Sequence, residues 1–332
     1  MFRITLLMAC VFGARILDAR AADAIPPDAA RAVFAEGAAL CAADGGKLWG
    51  VSLCGPLLLV DPATRAFVAS QNDASGSLHD AGGVFTGTLS QEQVVANSPL
   101  EWSGVRWAQL QWPLPEDPAS RAVLLMRGSF DRDRPRLPLP APRAADTAHL
   151  DTLDGRYLLQ LEWRALAQAL GAASERAARA GVEDALRFRN ERQQLYPGAA
   201  EAETARELDA GLAQYTGVVL GNPTAEARTA TALRGLELHA QEPSFVDSFA
   251  AAAGPAYGLL LDRYAAGWQR RLSIAGADPD SLLLTALKID RGAESSSQVG
   301  RRAARYGGDE LLRAEIARDA RLRAAAKAGK SR

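Results

Sequence analysis

The sequence predicts an α+β fold, in which a small β-rich lobe near the N-terminus is followed by a mainly α-helical lobe. Two observations predict it. Between residues 47 and 112, short apolar runs alternate with turn residues, which is typical of strands and hairpins. From about residue 146 onward, apolar side chains recur at helical spacing and are interrupted mainly by proline and glycine.

The first third of the chain divides into one helix and several short strands. A helix is predicted over residues 26–43, with Pro27 near its start. The expected strands are residues 57–60, 65–69, 84–89, 100–102 and 105–111. Residues 61–64 form a turn between the first two strands, and Ser103-Gly104 forms a hairpin turn between the last two.

The rest of the chain is predicted to be helical, apart from a proline-rich stretch at residues 135–142. The expected helices cover residues 119–130, 150–171, 174–196, 200–215, 223–239, 244–268 and 279–287, with a helix-prone tail after residue 298. Gly217 is expected to end the helix at 200–215. Gly254-Pro255 is expected to kink or break the helix at 244–268.

The N-terminus has the pattern of a cleavable export signal. Arg3 precedes an apolar run at residues 4–14, and Ala19-Arg20-Ala21 offers a small-x-small cleavage site. The run is shorter than the roughly 20 apolar residues that span a bilayer. A retained amphipathic helix is the alternative, and lipidation at Cys10 is a minor one. We therefore expect an exported protein, periplasmic or secreted, without a membrane span after signal removal.

The predicted organisation has four parts. They are a signal peptide at 1–21, a β-rich lobe at 22–113, a helical lobe at 114–290 and a basic, helix-prone tail at 291–332. The chain carries a net charge of −1, which argues against nucleic acid as a general partner. The tail is locally basic, and a solvated helix is favoured there over a nucleic-acid-binding arm.

Two cysteines remain once the signal is removed, Cys41 and Cys54. An isolated pair in an oxidising compartment is predicted to form one disulfide. Two buried free thiols are the alternative. Two cysteines without a nearby histidine cannot form a structural zinc site.

Common catalytic motifs are absent from the sequence. It has no phosphate-binding glycine loop and no G-x-S-x-G nucleophile elbow. Its three histidines are His79, His149 and His239. His149, Asp151 and Asp154 lie together just before a predicted helix, where capping is the favoured interpretation.

Five stretches carry a resemblance to a known family. They are LWGVSLCGP at residues 48–56, VDPATR at 60–65, HLDTLDGRYLLQLEWRALAQAL at 149–170, GLAQYTG at 211–217, and SFV at 244–246 with GPAYG at 254–258. In these stretches the chain resembles exported bacterial proteins with a zincin-like, gluzincin-type metallopeptidase domain. The resemblance covers most of residues 40–320 and implies a zincin-like bundle in the helical lobe.

The same resemblance implies a zinc site that this sequence does not keep. Such domains carry HExxH on one helix, with two histidines as zinc ligands and a glutamate as general base, and a third ligand on a later helix. Here Arg127 and Asp131 stand at the two histidine positions and Gly128 at the base. Ala210 stands at the third ligand, and Gln214 replaces a second carboxylate.

These replacements predict that no zinc or other cofactor is bound. A positive charge about 4 Å from a site for Zn²⁺ costs on the order of 4 kcal/mol per unit charge at an effective dielectric near 20. Gly128 has no group that can take a proton from water. The favoured function is therefore a catalytically inactive, metallopeptidase-like protein that binds a peptide or a partner protein in the degenerate cleft.

Two other functions stay open. One is an active zinc metallopeptidase with atypical ligands, for example Asp131 with His149 and Asp151. The other is a non-enzymatic structural or interaction protein. A binding cleft requires the helices at 119–131 and 200–216 to face each other, with Arg127 near Ala210. The plain alternative for Arg127 and Asp131, which are four residues apart, is a helical ion pair.

Overall fold

The computed structural model describes residues 25–274, 276–290, 292 and 296–330. The predicted signal peptide at residues 1–21, with Cys10, lies outside the described residues. The β-rich lobe contains α1 (Pro27–Asp44), β1 (Leu57–Val60), β2 (Ala66–Ala69), β3 (His79–Asp80), β4 (Phe85–Thr88), β5 (Pro99–Trp102) and β6 (Val105–Gln111).

Helices make up most of the remaining described chain, so the predicted α+β fold is confirmed. They are α2 (Pro118–Asp133), α3 (Leu153–Gly171), α4 (Glu175–Leu195), α5 (Ala199–Arg206), α6 (Leu212–Gly221), α7 (Ala225–His239), α8 (Phe249–Tyr264), α9 (Trp268–Arg271), α10 (Pro279–Leu287), α11 (Ser296–Ala304) and α12 (Gly308–Lys330). A single π-helical turn, Glu207–Gly211, joins α5 to α6.

The strands form one mixed sheet in the order β3-β4-β2-β1-β6-β5. β1 pairs with β6 in parallel, and the other neighbours are antiparallel. All four residues of β1 are buried because both faces of the sheet are covered. Leu57 and Leu59 pack with α1 and α2, whereas Leu58 and Val60 pack with Phe67 and Trp107 on the opposite face.

Helix α2 lies between the sheet and the helical lobe. Asp117 caps its N-terminus by accepting a hydrogen bond from the Ser120 amide, and Pro118 occupies its first position. Leu125 packs in the cluster that lines the sheet, whereas Met126 and Phe130 belong to the main core. Helix α2 therefore packs on both lobes, and Trp49 adds a second contact by donating a hydrogen bond to Thr216 Oγ1 at 3.0 Å.

Gly217 does not end its helix, contrary to the sequence prediction. Helix α6 continues to Gly221 because both glycines let it cross α2 at close range. An added Cβ on Gly217 would lie 2.6 Å from the Val123 carbonyl oxygen, and one on Gly221 would lie 2.7 Å from the Val123 amide nitrogen. The close approach of α6 to α2 leaves no room for a Cβ at either position, so these glycines do not mark the end of the helix.

The predicted break at Gly254-Pro255 does not occur either. Helix α8 begins at Phe249, later than expected, and runs through Pro255 to Tyr264. An added Cβ on Gly254 would lie 2.3 Å from the Gly211 carbonyl oxygen. Gly254 is needed for this close crossing of α8 and the π-turn, and the packing keeps the proline inside the helix.

The predicted disulfide is present, with Cys41 and Cys54 bonded and their Cα atoms 5.2 Å apart. It ties the end of α1 to the segment that enters β1, so the two-thiol alternative is wrong. No helix in the described ranges is long and apolar enough to cross a membrane. The tail is helical, and α12 packs against α3 through Glu315, which accepts a hydrogen bond from Arg156 Nε at 2.6 Å.

Candidate functional site

A cavity of about 620 Å³ opens where α2 faces the π-turn. We call it the arginine cavity because its charged lining consists of Arg106, Arg127, Asp131, Arg134, Arg206 and Asp209. Three of these residues lie on one face of the α2 region, since Arg127, Asp131 and Arg134 are spaced at i, i+4 and i+7. The π-turn presents Asp209 and Ala210 from the opposite side.

The structure brings together some of the residues that the resemblance singles out and separates others. Arg127, Asp131 and Ala210 all line the arginine cavity. Gly128 is buried on another face of α2, where an added Cβ would lie 3.0 Å from Leu110 Cδ2. The close contact of α2 with Leu110 in the sheet explains why this position has no side chain. Gln214 lies on α6 outside the cavity lining.

Two of the cavity arginines are held by other protein groups. Arg106 donates from Nε to the Arg132 carbonyl oxygen at 2.6 Å and from Nη1 to Glu101 Oε1 at 2.5 Å. Arg206 Nη2 lies 3.8 Å from an oxygen of Asp247. Arg106 therefore uses two of its five N–H donors within the protein, whereas Arg206 makes only long contacts to Asp247 through one nitrogen.

The other cavity groups are less satisfied. Arg134 is 5% exposed and donates from Nη2 to the Pro140 carbonyl oxygen at 2.7 Å. Its Nε lies 3.4 Å from Asp209 Oδ1 but has no hydrogen-bond partner. Arg127 and Asp131 make no hydrogen bond and no ion pair within 4.0 Å to any described residue, so the alternative of a close helical ion pair does not hold and only a longer-range attraction joins them.

The electrostatics of the cavity follow from burial. Burial raises the pKa of the Asp131 carboxyl to about 7, although the neighbouring Arg127 acts to lower it. Burial also lowers the pKa of the Arg134 guanidinium, against the opposing effect of Asp209. At neutral pH, Asp131 is therefore divided between its neutral and ionised forms.

The atypical zinc-ligand set is not assembled in the described part of the chain. His149 Nε2 lies 2.8 Å from Glu203 Oε1. Asp151 accepts hydrogen bonds from Ser244 Oγ at 2.6 Å and from the Phe245 amide at 2.9 Å. Neither residue lines the cavity that holds Asp131, and no three His, Cys, Asp or Glu residues in the described ranges are placed to hold a metal ion.

A second charged cluster lies inside the helical lobe. We call it the interior charge network; its members, none more than 4% exposed, are Glu162, Arg189, Arg192, Glu203 and Glu207. Arg192 donates to Glu162 at 2.6 Å and to both oxygens of Glu203 at 2.7 and 2.9 Å. Arg189 pairs with both oxygens of Glu207. This network joins α3, α4, α5 and the π-turn.

Pairing outweighs burial for Glu203 and Arg189 in this network, whereas burial raises the pKa of Glu207 to about 7 despite its pairing with Arg189. Burial alone would raise the pKa of Glu203, but Arg192 and His149 hold it well below its usual range. Burial alone would lower the pKa of Arg189, but Glu207 and Asp280 raise it well above its usual value. One feature of the sequence indicates this network. Arg189, Arg192 and Glu162 fall on helix faces that are otherwise apolar, where buried charges need partners of opposite charge.

Comparisons of the chain with protein-family models, with curated proteins and with solved structures give no match. The resemblance to zincin-like metallopeptidases therefore rests on the sequence stretches alone and stays a prediction.

Proposed function

We propose that this is an exported, non-catalytic, metallopeptidase-like protein that binds a peptide segment in the arginine cavity. One observation carries the proposal: Arg127 and Asp131, which make no hydrogen bond and no ion pair within 4.0 Å to the described residues, line the same cavity as Ala210. Charged groups held away from partners lose solvation without an offsetting contact. A ligand that pairs with them supplies that contact.

Export is supported by two features. The Cys41–Cys54 disulfide is typical of proteins that fold in an oxidising compartment. The N-terminal sequence has the charged start, apolar run and small-x-small site of a cleavable signal. Both are compatible with a periplasmic or secreted binding protein.

Three properties of the cavity favour a peptide as its occupant. Its volume lies within the range of about 300–1,000 Å³ that is typical of ligand pockets. Its lining mixes charged groups with apolar ones, including Leu139 and Pro142. Ser98 and Pro99 also line it, and they lead into β5, the edge strand of the sheet, whose outer backbone groups can pair with an extended chain.

The residues at the former catalytic positions support binding without hydrolysis. Arg127 and Ala210 cannot ligate zinc, and Gly128 faces the sheet, where it cannot activate water. Asp131 and Asp209 provide two carboxylates at the cavity, whereas zinc sites use three or four protein ligands.

The test uses a defined pool of synthetic octapeptides, the purified protein with its disulfide formed, and two variants. Ala210→Trp fills the cavity. Ala200→Trp adds the same side chain at an exposed position of α5 and serves as the matched control. We expect the wild type and Ala200→Trp to retain peptides in equilibrium dialysis, and Ala210→Trp to lose them. Mass spectrometry is expected to recover the peptides intact.

Two results would contradict the proposal. Equal retention by Ala210→Trp, with its fold verified by circular dichroism, would move binding away from the arginine cavity. Stoichiometric zinc together with chelator-sensitive cleavage of the peptides would make the protein an enzyme, and the non-catalytic function would be wrong.

A further inference from the structure

The charge of the arginine cavity differs from that of the whole protein. Four arginines and two aspartates line it, which gives a local excess of two positive charges when both aspartates are ionised. The complete chain carries a net charge of −1. A cavity with low-dielectric walls concentrates such a field and raises the local concentration of ligands of opposite charge.

Arg127 is the most available donor in the cavity. Its Cβ packs against α6, 3.3 Å from the position that a Cβ on Gly217 would take. The stem of the side chain is therefore held by the helix crossing, while the guanidinium makes no hydrogen bond or ion pair within 4.0 Å to the described residues. A guanidinium has five N–H donors in a planar fork, which matches the two oxygens of a carboxylate.

Arg134 supplies a second positive charge from a more buried position. It is 5% exposed, and its Nε has no hydrogen-bond partner although Asp209 lies 3.4 Å away. Such unpartnered buried donors are rare in native proteins. Because this nitrogen is itself buried, Arg134 acts on a ligand in the cavity through its positive charge.

Asp131 lies between these two arginines on the same helix face, and its charge opposes an anion only when it is ionised. The groups that face it are Arg127 and Arg134 from its own helical region, Arg106 from β6, Arg206 from α5 and Asp209 from the π-turn. Because burial raises its pKa to about 7, Asp131 is largely neutral in mildly acidic solution and can donate a hydrogen bond there.

We infer that Arg127 and Arg134 form a carboxylate-binding site, so that the peptides bound in the arginine cavity are acidic ones. This inference rests on the proposed peptide-binding function and adds the chemical group that is recognised. The carboxylate can belong to an acidic side chain or to the C-terminus of the peptide. Binding tightens as the pH falls from 8 to 6, since Asp131 then carries less negative charge.

The experiment is isothermal titration calorimetry of the purified, disulfide-bonded protein with four probes. N-acetyl-Ala-Glu-Glu-Ala-amide carries side-chain carboxylates, and N-acetyl-Ala-Gln-Gln-Ala with a free C-terminus carries a terminal one. N-acetyl-Ala-Gln-Gln-Ala-amide is the neutral control, and inorganic phosphate is an oxyanion without a peptide. Each titration is repeated at pH 6 and pH 8 at constant ionic strength.

Two variants complete the design. Arg127→Gln removes the unpaired guanidinium, and Arg313→Gln makes the same charge change at an exposed position on α12. We expect at least one of the two anionic peptides to bind at least ~10-fold more tightly than the neutral one, a difference of about 1.4 kcal/mol. Arg127→Gln is expected to abolish that preference, and Arg313→Gln to change it less than about twofold.

The outcomes separate the inference from the proposed function. Equal binding of charged and neutral peptides, unchanged in Arg127→Gln, would overturn the carboxylate site and leave peptide binding intact. Binding of phosphate that depends on Arg127, without binding of any peptide, would support the oxyanion site and overturn the proposed function. Absence of binding by all four probes would overturn both.

Discussion

The interior charge network and the arginine cavity use the same residue types in opposite ways. In the network, Arg192 is fully buried and donates to Glu162 and Glu203, so every charge has a partner. In the arginine cavity, Arg127 and Asp131 lie four residues apart on one helix and make no ion pair or hydrogen bond to the described residues. Paired charges hold helices together, whereas unpaired charges at a cavity are available to a ligand.

The difference has an energetic basis. Taking a charge out of water costs several kcal/mol, and close hydrogen-bonded partners offset that cost. Arg192 has such partners from two elements, α3 and α5, and Tyr257 adds a hydrogen bond to Glu162 at 2.7 Å. In the arginine cavity, Arg127 is only partly buried and keeps part of its hydration, whereas burial of Asp131 raises its pKa and favours its neutral form.

Removal of Arg192 is the largest expected perturbation. Arg192→Met leaves Glu162 and Glu203 buried without their main partner, and we expect the free energy of unfolding to fall by about 3–5 kcal/mol. Urea denaturation at pH 7 measures it. Arg313→Met, at an exposed position of α12, is the matched control and should change stability by about 0.5 kcal/mol or less. A loss below about 1 kcal/mol for Arg192→Met would contradict a structural role for the network.

A smaller effect is expected when Asp131 is made permanently neutral. Its folded pKa, about 7, lies above the value in the unfolded chain, so ionising it destabilises the folded state as the pH rises from about 4 to about 7. Asp131→Asn should match the wild type in stability near pH 4. At pH 8 it should be more stable by up to about 4 kcal/mol, since the pKa is raised from 3.8 to about 7 and one pKa unit corresponds to about 1.4 kcal/mol.

The comparison with the variant is needed because burial also raises the pKa values of Glu207 and Asp278 to about 7. Those two groups contribute to the pH dependence of both proteins and cancel in the difference. Urea denaturation across pH 4–8 provides the measurement. A constant difference at all pH values would show that Asp131 does not titrate in this range.

Elements with a strong local pattern were predictable from the sequence. Helix α1, the buried strand β1 and the turn at Ser103-Gly104 all occur where the apolar spacing and turn residues place them. β3 was missed because its two exposed residues, His79 and Asp80, carry no apolar alternation and pair only at the edge of the sheet.

The errors arose where packing between distant segments outweighs local preference. Glycine usually ends or weakens a helix, so the sequence predicted a helix end at Gly217 and a kink or break at Gly254. Each residue instead lies inside a helix, where that helix crosses another segment at close range. A single sequence does not show which segment will approach a glycine. The same limitation applies to Gly128, which was interpreted as a lost catalytic base and instead provides room for Leu110.

The sequence predicted only some residues of the candidate site, and these lie on α2 and on the π-turn. Resemblance and spacing selected Arg127, Asp131 and Ala210, which line one cavity. The remaining cavity charges were missed because they come from β6, the end of α2, α5 and the π-turn: Arg106, Arg134, Arg206 and Asp209. These four residues come together only in the folded protein. The interior charge network was missed for the same reason.

The most direct test of the contrast measures stability and binding together. The midpoint of thermal unfolding is recorded for the wild type and Arg127→Gln, with and without N-acetyl-Ala-Glu-Glu-Ala-amide. Without peptide at pH 6, where Asp131 is largely neutral, the two proteins should agree within about 0.5 kcal/mol, because Arg127 makes no hydrogen bond or ion pair within 4.0 Å to the described residues. A peptide present at 100 times its dissociation constant should stabilise the wild type by about 2.7 kcal/mol and leave Arg127→Gln nearly unchanged. A variant that is strongly destabilised without peptide, or equally stabilised by it, would contradict the assignment of Arg127 to ligand binding.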